Sequence, residues 1–194
     1  MSLDFEEAAA VPLAGLTAYQ TLVHHLRIRT GDTVLIHGAS GGVGTFAVQI
    51  ARALKARVAG TASEANHEYL RGFDAIPFTY GDGLVDEVRE FFPEGVDAVL
   101  DLNGSDLARS PELLSDSSFG RITSVIDPVT VKEFGGHYAF VQPDVRDLDA
   151  LTELIDAGKV KVEIAETYAL ADAAKAWEQS QTGHTRGKLV ITVD

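Results

Sequence analysis

The sequence predicts an α/β protein built on a doubly wound parallel sheet of about six strands, with helices on both faces. Three observations predict it. Short apolar runs recur along the chain, helix-length segments separate them, and a glycine cluster joins the first run to the first long amphipathic segment. Strands divided by helices imply right-handed crossovers, and so a parallel sheet. A length of 194 residues suits a single domain, 1–194.

Each element has its own signal. Residues 13–26 read as a helix, and Arg29-Thr30-Gly31-Asp32 as the turn after it. Thr33-Val34-Leu35-Ile36-His37 is a compact, mostly apolar run suited to a buried parallel strand. Val43, Phe46, Ala47, Ile50, Ala51 and Leu54 then fall at helical spacing, with polar residues between them. The second strand covers residues 57–61. A helix begins near Glu64, with Ser63 as a candidate N-cap. Residues 76–80, 96–102, 121–126 and 138–141 supply strands three to six. Residues 148–157 and 171–181 read as helices, and 189–193 as a last strand. The segment 127–136 gives no clear signal.

Gly38-Ala39-Ser40-Gly41-Gly42-Val43-Gly44 sits at the strand-to-helix junction. Glycines there permit a tight turn and let backbone approach a pyrophosphate. The free N–H groups and the dipole of the following helix favour an anion. In this context the loop marks a Rossmann-type, dinucleotide-binding sheet. A glycine turn without ligand is the plainer alternative. A second is the nucleophile elbow G-x-S-x-G, which would make Ser40 a hydrolase nucleophile with His137 or His184 downstream. Too few residues precede this strand for the upstream part of such a fold, and Gly44 has no role in it. The second strand ends Ala59-Gly60-Thr61-Ala62-Ser63, without the carboxylate that binds a ribose 2′-hydroxyl in NAD sites. NADP is therefore favoured, with Glu64 read as a first-turn acid.

Composition narrows the function classes. The chain is 45% hydrophobic and 23% charged, with a formal net charge of −13. An acidic surface makes nucleic acid and anionic membranes poor partners. No apolar run approaches the roughly 20 residues of a membrane span. Cysteine is absent, which removes disulfides, thiolate zinc sites and a cysteine nucleophile. With no signal-peptide pattern at the start, a cytoplasmic location is expected. None of the six histidines has metal-ligand spacing, so no metal site is expected. His37 reads as a satisfied core histidine, Trp177 as packing, within this region or against a further domain, and Asp144, Asp147 and Asp149 as a solvated loop and helix start. No residue stands out as a catalytic acid.

Three stretches carry a resemblance: Ala14-Gly15-Leu16-Thr17-Ala18-Tyr19, Val34 through Gly44, and Gln49-Ile50-Ala51. Asp156-Ala157-Gly158-Lys159-Val160 and Arg186-Gly187-Lys188-Leu189-Val190-Ile191 extend it. Together they resemble the medium-chain dehydrogenase/reductase superfamily, in its zinc-independent quinone oxidoreductase branch. The resemblance implies an NADP(H)-binding domain of an oxidoreductase that passes hydride to a quinone or an α,β-unsaturated carbonyl. It implies a GroES-like substrate domain ahead of this region. The ends, about 1–15 and 165–194, would pack against that domain, and this chain alone would be inactive. It also implies a homodimer through the sixth strand. By position it assigns Gly41, Gly42, Val43 and Gly44 to the pyrophosphate and Thr17 to the nicotinamide end. Ser63 and Tyr80 go to the 2′-phosphate, and Asn103 and Ser124 to the ligand edge of the sheet. A lysine usually completes the phosphate site where Asn66 stands, with Arg71 or His67 as substitutes. Lys188 matches a pyrophosphate-reaching basic residue in some relatives but reads here as a solvated lysine. A non-catalytic NADP sensor and an enoyl-reductase segment of a larger synthase are the alternatives.

Overall fold

The structure, a computed structural model, describes residues 3–193; Met1, Ser2 and Asp194 lie outside them. In chain order the elements are α1 (Phe5–Ala10), α2 (Pro12–Gln20), β1 (Thr33–His37), α3 (Gly44–Ala53), β2 (Arg57–Thr61), α4 (His67–Arg71) and β3 (Ile76–Phe78). There follow α5 (Leu84–Phe91), β4 (Ala98–Asp101), α6 (Ser110–Leu113), β5 (Ile122–Ser124), α7 (Thr130–Glu133) and β6 (His137–Tyr138). The chain ends with α8 (Val145–Asp156), β7 (Ile164–Ala169), α9 (Ala173–Gln181) and β8 (Lys188–Thr192).

Six strands form one parallel sheet in the order β3-β2-β1-β4-β5-β6. The order reverses between β1 and β4, which opens a crevice at their C-terminal ends. Alternating side chains of the strands face two separate cores. Val34, Ile36, Ala98 and Leu100 meet Phe46, Ile50 and Leu151 on the α2, α3 and α8 side. Leu35, Val99 and Ile122 meet Leu84, Val88, Leu113 and Val131 on the α5, α6 and α7 side. All five residues of β1 are buried, as its unbroken apolar pattern requires. The turn before β1 is held by Asp32, which accepts the amide of Arg29 (3.0 Å) and pairs with Arg121 beside β5 (2.7 Å).

The structure amends several sequence readings. The predicted helix 13–26 is α2 followed by a π-helical turn, Thr21–His25. The strands after β2 are shorter than their apolar runs; the sixth is only His137–Tyr138. Residues 189–193 do not join the main sheet: β8 pairs in parallel with β7, a strand the sequence did not reveal. The unread segment 127–136 holds α7. Ser63 precedes a 3₁₀ turn, Glu64–Asn66, and its side chain caps no backbone amide.

Candidate functional site

A crevice of about 710 Å³ lies at the switch point, within the usual range for ligand sites. Its floor is the glycine loop. Gly38 has φ +73°, a left-handed conformation that favours glycine. The loop is held by Ala39 N–H donating to Thr61 O (3.0 Å) and Gly38 N–H donating to Thr61 Oγ1 (3.2 Å). Gly44 lies flat against this turn: a Cβ there would sit 2.3 Å from Gly38 O and 2.6 Å from Ala39 C and O. Among the described residues, the N–H groups of Gly42, Val43 and Gly44 have no backbone acceptor. They are the unpaired donors at the start of α3, where the helix dipole favours negative charge.

The opposite wall comes from the C-terminal segment. Ala173, Ala176, Trp177 and Ser180 of α9 line it, together with His184, Gly187 and Lys188. Gly187 N–H donates to Ser40 O (3.2 Å) and fixes this wall to the loop. Lys188 is half-buried and leans over Gly42, where an added Cβ would meet its Cδ at 2.8 Å and its Nζ at 3.5 Å. Burial lowers the pKa of its amine, and among the described residues the amine has no hydrogen-bond or ion-pair partner. Among the described residues, no aspartate or glutamate lines the crevice, although the chain carries net charge −13.

Of the residues assigned from sequence, Gly41, Gly42, Val43, Gly44, Ser63, Tyr80 and Asn103 all line this crevice. Asn66 lines it too, its side-chain amide donating to Ser63 Oγ (3.2 Å). Glu64 does not line it. Neither do the suggested substitute cations: Arg71 is paired with Glu68, and His67 lies 3.5 Å from Thr79 Oγ1. Thr17 stands outside the crevice lining, its hydroxyl donating to Leu13 O (2.7 Å). Ser124 is also outside, fully buried, with its hydroxyl donating to Asp101 Oδ2 (2.7 Å). Ser40 lines the crevice, but no hydrogen bond joins its hydroxyl to His137 or His184 among the described residues.

Three plain readings change and a fourth is located. Lys188 is not a solvated lysine but a half-buried one over the loop. Trp177, read as packing, lines the crevice wall and is 68% exposed within this chain. Asp147 is not solvated, for it accepts from Gln20 Nε2 and bonds His24 Nε2, each at 2.8 Å. His37 is only half satisfied: its Nε2 lies 3.2 Å from Ser110 Oγ, while its Nδ1 is buried without a partner among the described residues. Burial lowers the His37 pKa against the opposing pull of Asp101 and Asp106, so a neutral ring is favoured.

Among the described residues, no three histidine, cysteine, aspartate or glutamate side chains cluster as a metal site would need. No helix among them is long and apolar enough to cross a membrane.

The comparisons with known proteins agree with this architecture. A family model described as zinc-binding dehydrogenase matches residues 71–191. The human mitochondrial NAD(P)H oxidoreductase RTN4IP1 is 34% identical over 99% of this chain and 57% of its own length. The zebrafish synaptic vesicle membrane protein VAT-1 homolog is 32% identical over 99% of the chain and 47% of its own. Among solved structures, the quinone oxidoreductase from Coxiella burnetii superposes with TM-score 0.87 at 34% identity, over 99% of this chain and 62% of that one. The CurK enoyl reductase gives TM-score 0.85 at 30% identity, over 99% and 64%. The chain thus spans about half the length of these curated relatives. By the family match, by sequence identity along its length and by its sheet order, the chain belongs to the zinc-binding dehydrogenase family, within the medium-chain dehydrogenase/reductases and among quinone oxidoreductase-like homologues.

Proposed function

We propose that this chain is the NADP(H)-binding part of an oxidoreductase that delivers hydride to a quinone or an α,β-unsaturated carbonyl. The observation that carries the reading is electrostatic. In a strongly acidic chain, one crevice has, among the described residues, no carboxylate, three unpaired amides at a helix start and an unpaired lysine above them. That is a seat for a pyrophosphate. Gly42, Val43 and Gly44 would hold its oxygens from below and Lys188 from above. Beyond the ends of β2 and β3, Ser63, Asn66 and Tyr80 offer neutral polar atoms to the adenosine ribose. The absence of an acid favours a 2′-phosphate, and the absence of a cation keeps that preference modest. When bound, the reduced nicotinamide supplies the hydride.

Among the described residues, the crevice offers only Tyr80, His184 and Lys188 as titratable groups, and none is given a proton-transfer role. Turnover is therefore proposed to require a substrate domain from elsewhere in the protein. The names of the relatives, a quinone oxidoreductase and an enoyl reductase, support the two acceptor classes. A homodimer through the open edge of β6 is part of the same proposal. Calorimetric titration with NADPH and NADH in parallel tests the cofactor reading. NADPH is expected to bind more tightly, and Gly42→Asp to abolish binding by setting a carboxylate under the phosphates. Tighter binding of NADH would overturn the reading of the β2 end.

A further inference from the structure

One buried carboxylate joins two loops at the far end of the crevice. Asp101 closes β4 and is fully buried. Its Oδ1 accepts the amides of Gly104 (2.8 Å) and Asn103 (3.3 Å). Its Oδ2 accepts the hydroxyl of Ser124 (2.7 Å), which closes β5. The same hydroxyl oxygen accepts the amides of Ile126 (3.1 Å) and Asp127 (3.0 Å). The loops after β4 and after β5 are thus tied to one side chain through five hydrogen bonds. The first of them carries Leu102, Asn103 and Ser105 into the crevice. Both loops leave the β4-β5-β6 half of the sheet, across the switch point from Ser63 and Tyr80.

We propose that Asp101 is a positioning residue that shapes the nicotinamide half of the crevice and leaves the adenosine half untouched. The proposal rests on the dinucleotide reading above, in which each half of the sheet receives one mononucleotide. The chemistry requires an acceptor on both sides of the carboxyl. The Ser124 oxygen already takes two amides, so its hydrogen can be used only on Asp101. An asparagine has one acceptor and one donor face. Turned one way, its NH₂ opposes the amides of Asn103 and Gly104; turned the other, it leaves the Ser124 hydroxyl hydrogen unpaired in the interior. Either way one loop loses its anchor.

The test is calorimetry on the intact chain with two ligands, NADPH and 2′,5′-ADP, the latter filling only the adenosine half. Asp101→Asn is expected to weaken NADPH by roughly tenfold or more while 2′,5′-ADP stays within about twofold. A general loss of stability would weaken both together. Ser124→Ala keeps the carboxylate and removes only the β5 arm, so it decides the matter if Asp101→Asn does not fold. It is expected to show the same selective loss. Equal loss of both ligands in a folded variant, or full NADPH affinity in Ser124→Ala, overturns the proposal. If the unaltered chain binds NADH and not NADPH, NADH and 5′-AMP serve as the pair; if it binds none of these, the dinucleotide reading has failed and this proposal falls with it. If it binds both members of a pair and the variants show no selective loss, only the proposal falls.

Discussion

Gly44 and Gly42 stand two residues apart in one loop, yet an added methyl should do opposite things at the two sites. At Gly44 the new Cβ would lie about 1 Å inside ordinary contact with Gly38 O and Ala39 C. These are backbone atoms of the turn itself, pinned by hydrogen bonds to Thr61, so the overlap cannot be relieved by rotating a side chain. Overpacking of this kind destabilises by about 1–3 kcal/mol. Better helix propensity at the start of α3 returns at most about 1 kcal/mol. A net loss near 2 kcal/mol lowers the melting temperature by roughly 4–8 °C for a chain of this length. At Gly42 the nearest atom is the Lys188 Cδ, part of a flexible side chain that can swing aside, and the backbone contact, Gly187 O at 3.1 Å, asks for a shift of only a few tenths of an ångström. Gly42→Ala should therefore melt close to the unaltered protein but bind NADPH more weakly, because the methyl occupies the space under the ammonium. Thermal unfolding by circular dichroism, with calorimetry alongside, measures both effects. A Gly44→Ala protein that melts like the original would refute the close-packing argument. A Gly42→Ala protein with undiminished affinity would refute the placement of the phosphates.

Three further outcomes follow from the same geometry. Lys188→Met should weaken NADPH roughly 10- to 150-fold, the range of a hydrogen bond to a charged group, and should flatten the salt dependence of binding; an unchanged affinity in calorimetry would remove Lys188 from the site. Trp177 is the only tryptophan of the chain and lines the crevice, so saturating NADPH should change its fluorescence, and constant intensity at full occupancy would place the ligand elsewhere. Burial holds the His37 pKa below the ordinary 6.5, so the unfolded chain takes up that proton at higher pH than the folded one. Stability from this group is complete above 6.5 and declines as the pH falls below it, an acid limb that urea unfolding should show shallower in His37→Gln; an identical slope in that variant would contradict the assignment.

Much of this fold was legible because its signals are local. β1, the glycine loop, α3 and β2 follow one another with clear periodicity, and the structure has them at the read positions. α1 was overlooked, although Asp4 and Glu7 form a capping box whose spacing is visible in the sequence. β7 has a different cause. Its residues are mostly exposed, and it pairs only with β8, so neither alternation nor an apolar run marks it. Lys188 was misjudged, and Trp177 left without a site, for a related reason. Nothing near them in sequence reveals that the hydrogen bond from Gly187 to Ser40 brings the chain's end over a loop formed far upstream. Ser124 shows the converse: its position at the end of β5 was readable, but the use of its hydroxyl by Asp101 and two amides depends on the β4–β5 register.

The most direct measurement is a crystal structure of this chain with NADP⁺ bound. The pyrophosphate should lie within hydrogen-bond reach of the Gly42, Val43 and Gly44 amides and of Lys188 Nζ, with the 2′-phosphate beside Ser63 and Tyr80. A dinucleotide seated anywhere else, or a glycine loop left empty at saturating ligand, would contradict the reading of the crevice as a cofactor site.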